Sequence, residues 1–545
     1  MKLLYSNTFL LLCIIIVASI LRFYNLSTIP ISLNPDELAI GYNSYSLLTT
    51  GKDEWGKVFP LALKSFGDWK LPVYPIITML PIRLFDLSEF SVRLPSALAG
   101  SVSIWLIYLV TTRLFKQRKI AIISAFFLAI SPWSIFFSRG AFEPNLALTF
   151  LLAGVYFFLR FLDNKSSRYL FYTSILFGIT LFTYAGYDVF MPIFYSAILL
   201  YYRREVFTHK MSIVSVSVFI IFFFILVFSV LASGGTSKLS ALSVFNDPNV
   251  IYNRGDKFRG DSSRDSVIVD KILFNKSFSG VYQFGENYLL SFSPTFLFDR
   301  GGVKVFYNIS GFGFLYLFDA VLLFIGMVSL FWEREKAIRF LLIWFILAPI
   351  PLAITNEVPA PTRVMDILPV FILVQAYGAF TIAKYILAKR NLVYYCVGIS
   401  AVVAFFLNVC LFLDLYYIHM NVQDAGFFHY GYKQADQIAD RYPNDKVVMV
   451  GPENFSYISF LFYEKYDPHL FRQQVTYYPQ PYLNFNLVKS FGRYTFVRSI
   501  DRHNLSPKTL YIDYPNKFDK THLIRLPNGD PVFTYFEEKD LQENK

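Results

Sequence analysis

Apolar stretches close to the ~20 residues that cross a bilayer recur along this chain, and nothing else constrains its fold as much. They are Phe9–Tyr24, Leu94–Phe115, Ile120–Phe137, Asn145–Leu162, Tyr169–Tyr184, Val189–Tyr202, Ser212–Ala232, Phe312–Trp332, Ile338–Ile354, Val364–Ala388 and Val393–Tyr416. Only 16% of the 545 residues are charged, against about 25% in soluble domains. The predicted fold is therefore a multi-pass α-helical membrane protein with about eleven transmembrane helices. Phe9–Tyr24 follows a short start bearing Lys2 and is not followed by a small-x-small cleavage site. With Arg22-Phe23-Tyr24 as an interfacial anchor, it is predicted to be a retained transmembrane helix rather than a secretory signal.

The formal net charge of +11 has two readings, an anionic partner such as nucleic acid or basic loops on the cytoplasmic side. Sorting the loops by side decides between them. One set holds Lys2, the basic residues of 113–119, 160–168, 203–210 and 334–339, and Lys384, Lys389 and Arg390; its net charge is +13. The other side of the membrane part carries −2, and the tail from His419 to Lys545 carries zero. Short basic loops face the cytoplasm. The N-terminus is thus predicted inside, the loops 25–93 and 233–311 and the C-terminal tail outside, and no nucleic-acid partner is expected.

The tail has a different composition. An amphipathic stretch, Gly431–Tyr442, precedes the strand-like runs Lys446–Gly451, Tyr494–Ile500, Thr509–Asp513 and Pro531–Glu537, the last entered through a Pro-Asn-Gly-Asp turn. The predicted organisation is a transmembrane domain over 1–418 and a small exofacial α/β domain over 419–545. Cys13, Cys396 and Cys410 fall within predicted spans as apolar packing residues. The histidines do not cluster at ligand spacing, so no metal site is expected, and phosphate-loop, dinucleotide and hydrolase motifs are absent.

What remains is a set of ionisable groups at the outer membrane boundary, where charge is costly and marks function by default. Asn34-Pro35-Asp36-Glu37 lies just beyond the first span. Two adjacent carboxylates there suit a reactive hydroxyl beside a lipid-borne substrate. They equally suit a helix N-terminus whose dipole they complement. Downstream come Gly51-Lys52-Asp53-Glu54, then Gly67-Asp68-Trp69-Lys70-Leu71-Pro72-Val73-Tyr74, and then Ser91-Val92-Arg93-Leu94-Pro95-Ser96-Ala97. Further on are Ser138-Arg139-Gly140-Ala141-Phe142-Glu143-Pro144-Asn145, an aromatic run from Asn287 to Phe298, and Pro361-Thr362-Arg363 leading to Leu368-Pro369.

The order and loop placement of these elements, from about Arg22 to Gly378, resemble the GT-C glycosyltransferases of the family 39 type. That family includes protein O-mannosyltransferases, aminoarabinose transferases of lipid A and their bacterial relatives. The resemblance implies an inverting transfer of a sugar from a polyprenyl-phosphate donor to an outward-facing protein, glycan or lipid acceptor at the cell membrane. The lipid-linked sugar is a substrate, and no further cofactor is implied. Asp36 is implied as general base or acceptor-orienting group, with Glu37 in support. Glu143 matches a second-loop acid that orients acceptor or sugar; as a plain reading it is an acid at a helix start. Lys70 matches the lysine of a Lys-x-Pro element and would hold the donor phosphate, against a snorkelling interface lysine. Arg93, Arg139 and Arg363 suit phosphate as guanidinium forks. Arg93 equally suits a packed arginine paired with an acid, and Asp366 is a partner one turn from Arg363.

Two departures from the pattern stand out. Trp69 separates Asp68 from Lys70 where aminoarabinose transferases place a Glu next to the Lys, and 233–311 contains no histidine. A transporter or lipid-linked-sugar flippase is the competing class. It predicts midplane charges, broken helices and internal pseudo-symmetry, whereas the charges here lie at the outer ends and the two halves do not match. A scaffold that merely anchors its tail has no need of about eleven spans.

Overall fold

The structure is a computed structural model, and it describes residues 7–66, 68–208, 210–233, 243–247, 275–332, 337–389, 391–479, 485–516 and 522–542. Lys2, Arg334, Lys336 and Arg390, and most of the expected outer loop 233–311, lie outside the described residues.

Helices coincide with all eleven apolar stretches. Among the described residues, five helices are long and apolar enough to cross a membrane: Glu89–Phe115, Glu143–Asn164, Met211–Leu231, Met365–Lys389 and Leu392–Gln423. The pair Arg118–Ile130 and Pro132–Arg139, bent by 53°, is long and apolar enough for a sixth only when taken together, as a broken span or a re-entrant loop. Its break sits at Ser131-Pro132, where the proline ring has no amide to continue the ladder. Five further apolar helices, Asn7–Phe23, Val73–Phe85, Gly186–Tyr201, Leu317–Trp332 and Ala337–Ala353, are shorter. The expected number of about eleven spans thus goes beyond what helix length alone supports.

The described chain falls into two compact units, 1–22 with 99–137 and 143–412, and 23–98 with 138–142 and 413–545. The first unit is helical. Backbones approach closely where glycines remove the side chain: a Cβ on Gly326 would lie 2.1 Å from the Val374 carbonyl oxygen, and one on Gly378 2.2 Å from that of Leu322. Small residues serve this purpose between helices in lipid, where apolar burial alone gives little drive. Arg22, expected as an interfacial anchor, is instead buried. Its guanidinium donates to the carbonyls of Ala18, Leu128 and Ala129 and to Ser134 Oγ at 2.7–3.2 Å. The carbonyls of Leu128 and Ala129 are left open at the end of Arg118–Ile130, and satisfying them outweighs the pull of the interface.

The second unit joins the first long loop to the tail. A helix, Pro35–Thr50, is followed by a hairpin of β1 (Leu63–Ser65) and β2 (Asp68–Lys70). The tail contributes a seven-stranded sheet of β3 (Lys446–Val450), β4 (Thr476–Tyr477), β5 (Val488–Phe491), β6 (Tyr494–Val497), β7 (Thr509–Asp513), β8 (Leu523–Arg525) and β9 (Pro531–Phe536), in the order β4-β5-β6-β3-β7-β9-β8. Central β3 pairs in parallel with β6 and β7, and the outer pairs are antiparallel. Its Val447, Met449 and Val450 are buried, as expected of a strand covered on both faces. Gly41 lets Pro35–Thr50 lie against Tyr457–Tyr463, since a Cβ there would meet Phe462 at 2.5 Å and Val92 at 2.7 Å.

Candidate active site around Asp36 and Lys70

The helix at Pro35 starts for local reasons. Asn34 caps it, its Oδ1 accepting from the Glu37 amide at 3.0 Å, while Glu37 Oε2 accepts from the Asn34 amide at 3.2 Å. Proline occupies the first helical position, where a missing amide costs nothing. The helix-start reading of Asn34–Glu37 therefore holds, and it sends the two carboxylates in different directions.

Glu37 points inward and is 1% exposed. Its Oε1 accepts from Arg93 Nε at 3.0 Å and from the Ala141 amide at 2.9 Å. Arg93, also buried, donates besides to the carbonyls of Leu26, Pro30 and Ser32 at 2.6–3.1 Å. One arginine thus gathers the loop between the first span and the Asp36 helix. Arg139 does similar work nearby, donating to the carbonyls of Tyr24 and Ile29 at 2.6 and 3.0 Å with its guanidinium 4.9 Å from the Tyr417 ring centre.

Asp36 points outward, its side chain 37% exposed, and pairs with the ammonium of Lys70, which is 12% exposed. Lys70 ends β2 opposite Leu63. Side chains alternate across a strand, so Trp69 faces away from Lys70 and lies instead beneath Lys57, 5.0 Å from its ring centre. The intervening tryptophan thus does not obstruct the lysine. The side chain of Asp68 lies outside the described residues.

Asp36 also has an electrostatic neighbour that no local pattern marks. His429, half-buried at the start of the tail in a left-handed backbone conformation, lies in the field of Asp36. Burial pushes its imidazole down to about 4 against the pull of that carboxylate, so it is neutral at pH 7. No periodicity or motif marks a lone histidine hundreds of residues from its neighbour. Among the described residues, no three His, Cys, Asp or Glu side chains converge as metal ligands do.

Glu143 and Arg363 belong to the helical unit. Glu143 opens the helix Glu143–Asn164, where an acid complements the dipole. Arg363 pairs with Glu357 at 2.8 Å, not with Asp366, and Glu357 also takes Lys304 at 3.1 Å. Asp366 instead sits buried on a 3-10 turn, and its carbonyl accepts from Trp344. Burial pushes the Glu357 carboxyl up, but Arg363 and Lys304 outweigh it and hold the group below its ordinary range. With Tyr307, Asn356 and Thr362 these residues line a cavity of about 340 Å³.

Beneath the hairpin lies a buried carboxyl. Glu54 accepts from Tyr457 OH at 2.6 Å, and Asn43 bridges it to β1, accepting from the Glu54 amide at 3.0 Å and donating to Ser65 Oγ at 2.8 Å. Burial raises Glu54 to about 7, more than the Tyr457 bond lowers it. Its folded value lies above that of the unfolded chain, so between roughly pH 4.5 and 7 the native state holds a proton that the unfolded state has lost. Stability therefore falls as pH rises through this window, by on the order of 3 kcal/mol from this group. Glu54→Gln is expected to remove that component: its melting temperature relative to the parent should rise from pH 5 to pH 8. Parallel melting curves across the range would refute it.

Residues 70–229 match the family model described as dolichyl-phosphate-mannose-protein mannosyltransferase. Among solved structures, the archaeal oligosaccharyltransferase AglB from Archaeoglobus fulgidus, in complex with an inhibitory peptide and a dolichol-phosphate, aligns over 84% of this chain. The TM-score is 0.51 at 13% identity, and this chain spans 64% of the length of that one. ArnT from Cupriavidus metallidurans, bound to undecaprenyl phosphate, aligns over 96% of this chain and 97% of its own, with TM-score 0.50 and 13% identity. No curated protein matches the sequence.

Proposed function

Starting from a fold of the GT-C superfamily, similar to the protein mannosyltransferases and ArnT, we propose an inverting membrane glycosyltransferase that moves a sugar from a polyprenyl phosphate to an outward-facing hydroxyl. The observation that carries this reading is the Asp36–Lys70 pair, a half-exposed carboxylate on a capped helix end facing an ammonium on a strand end. The acceptor is a protein hydroxyl or an envelope glycan or lipid, and the charge asymmetry of the loops supports a cell-membrane protein with its N-terminus inside and its tail outside.

With no substrate present, Lys70 neutralises Asp36. A donor phosphate competes for the ammonium and leaves Asp36 free to accept the proton of the acceptor hydroxyl. The acceptor oxygen then attacks the anomeric carbon from the face opposite the phosphate. The bond from that carbon to the phosphate oxygen breaks, and the released polyprenyl phosphate carries a further negative charge that Lys70 stabilises. Arg93 and Arg139 fix the loop that presents Asp36 and act as positioning residues. Glu37 holds Arg93, and Glu143 and Arg363 remain proposed contacts to acceptor and donor. An apolar cavity of about 320 Å³ in the helical unit, lined by Phe292, Leu297, Phe324, Phe345 and Phe371 among others, suits part of a polyprenyl chain.

Supplying membranes with radiolabelled polyprenyl-phosphate sugars tests the reading directly. Lys70→Ala is expected to lower kcat/KM for the donor by roughly 10²-fold, as the loss of a preorganised charge does elsewhere. Unchanged donor kinetics would eliminate the phosphate role.

A further inference from the structure

The hairpin that ends in Lys70 has only three residues in each strand, and an isolated two-stranded hairpin is marginal in water. Something else must hold it, and the contacts show what does. At its tip Phe66 is 3% exposed at φ +57°, a conformation a bulky residue adopts only when its surroundings impose it. The Phe66 ring stacks on Phe455 at 4.4 Å and meets Tyr457 edge-on at 6.1 Å. Its carbonyl accepts from the Asn486 amide at 2.6 Å, and Phe455 is backed in turn by Phe485 at 5.3 Å. On the flank, Lys64 of β1 lies 3.9 Å over Trp55, which stacks on Tyr477 of β4 at 4.9 Å.

All the outer partners belong to the tail, and Phe455 occupies a particular place in it. It lies in the turn after β3, between parallel neighbours β6 and β7; the chain leaves β3 for β4, β5 and β6 on one side and then crosses from β6 to β7 on the other. In an open α/β sheet, that is the crevice where ligands bind. Here the first-loop hairpin reaches it through Phe66.

We propose that the tail acts in the reaction through Lys70, with Phe455 as the positioning residue that holds the hairpin so that the ammonium reaches the donor phosphate. The proposal rests on the donor-binding reading of Lys70. The physical reason is that the ring contacts fix the hairpin from its tip, while β2 transmits that position to its last residue. A shift of about 1 Å in a group that orients a substrate costs up to ~10²-fold in rate.

The test uses the full chain in membranes. Phe455→Ala is expected to lower kcat/KM for the lipid-linked sugar roughly tenfold or more, and Phe455→Tyr to restore it. In a Lys70→Ala background the same change should add less than about twofold, because the route is already cut. A second readout is independent of turnover: the rate of Lys70 acetylation, followed by mass spectrometry, should rise severalfold in Phe455→Ala while exposed Lys384 stays constant. A Lys70 rate unchanged from the parent overturns the proposal, as do fully multiplicative penalties in the double variant. A raised Lys70 rate with transfer unaffected leaves the clamp standing and overturns the donor-binding reading instead. Should Phe455→Ala not fold, Phe66→Leu withdraws the ring from the other side of the stack and is read in the same way.

Discussion

Asp36→Asn is expected to abolish transfer, lowering kcat by about 10³-fold or more, while the protein accumulates and melts like the parent. General-base contributions run at ~10²–10⁴-fold, and the asparagine amide can neither accept the acceptor proton nor offset the charge on Lys70. The fold has little stake in this carboxylate: it sits one position beyond Pro35 on the exposed side of the helix start, and the capping bonds belong to Asn34 and Glu37. The kinetic signature separates it from Lys70. Without its acidic partner the ammonium meets the donor phosphate uncompeted, so the donor KM should stay the same or fall as kcat collapses. Asp36→Glu, which moves the carboxylate outward by one methylene, should fall between. Radiolabel transfer from a polyprenyl-phosphate sugar in membranes measures both variants against the parent, and substantial turnover by Asp36→Asn would remove it as the base.

Much of the helical unit could be read from apolar stretches because lipid leaves a chain few options. Hydropathy does not show where helices end. Ile120–Phe137 looks continuous in hydropathy but breaks at Pro132, and Ile338–Ile354 breaks around Pro349; the prolines were visible and their consequence is local. Val73–Phe85 escaped because 13 residues with Pro75 and Pro81 inside do not resemble a span. In the tail, β3, β6, β7 and β9 follow runs of apolar and β-branched residues. By contrast β4 and β8 have two and three residues, too few for alternation to register, and β5 carries Lys489 and Ser490 between its apolar ends.

The site was legible to different depths for a related reason. Asp36 and Lys70 stand in recognisable local patterns, and the structure pairs them. The surroundings of Arg93 and Arg139 had no such pattern, since their partners are mostly backbone carbonyls of residues 24–32, and every residue type carries the same carbonyl. Long-range side-chain partners such as His429, Phe455 and Tyr457 are set by how the tail sheet folds, which local sequence does not encode.

Arg93→Ala is expected to have the largest effect on stability, about 3–5 kcal/mol, because it leaves a buried carboxylate without its partner. Arg93 and Glu37 have side-chain exposures of 0% and 2%, so water cannot substitute for either. The loss also uncovers the carbonyls of Leu26, Pro30 and Ser32, each a buried acceptor with its own desolvation cost. Lysine does not repair this, since one ammonium cannot span four acceptors that a planar fork reaches together. For the same reason the double change Glu37→Leu with Arg93→Met, which in many buried pairs is nearly neutral, should here recover only part of the stability, because the three carbonyls stay unmet. Glu37→Gln should be milder, keeping the cap on the Asn34 amide while weakening the bond to Arg93. Thermal unfolding of the purified variants gives the order, and Arg93→Ala within 1 kcal/mol of the parent would contradict the structural role. The same series distinguishes a loop-gathering arginine from one that binds phosphate: where Arg93 variants retain folded protein, activity should follow the folded fraction with the donor KM unmoved. Lys70→Ala should show the reverse, full folding with a defect confined to the donor.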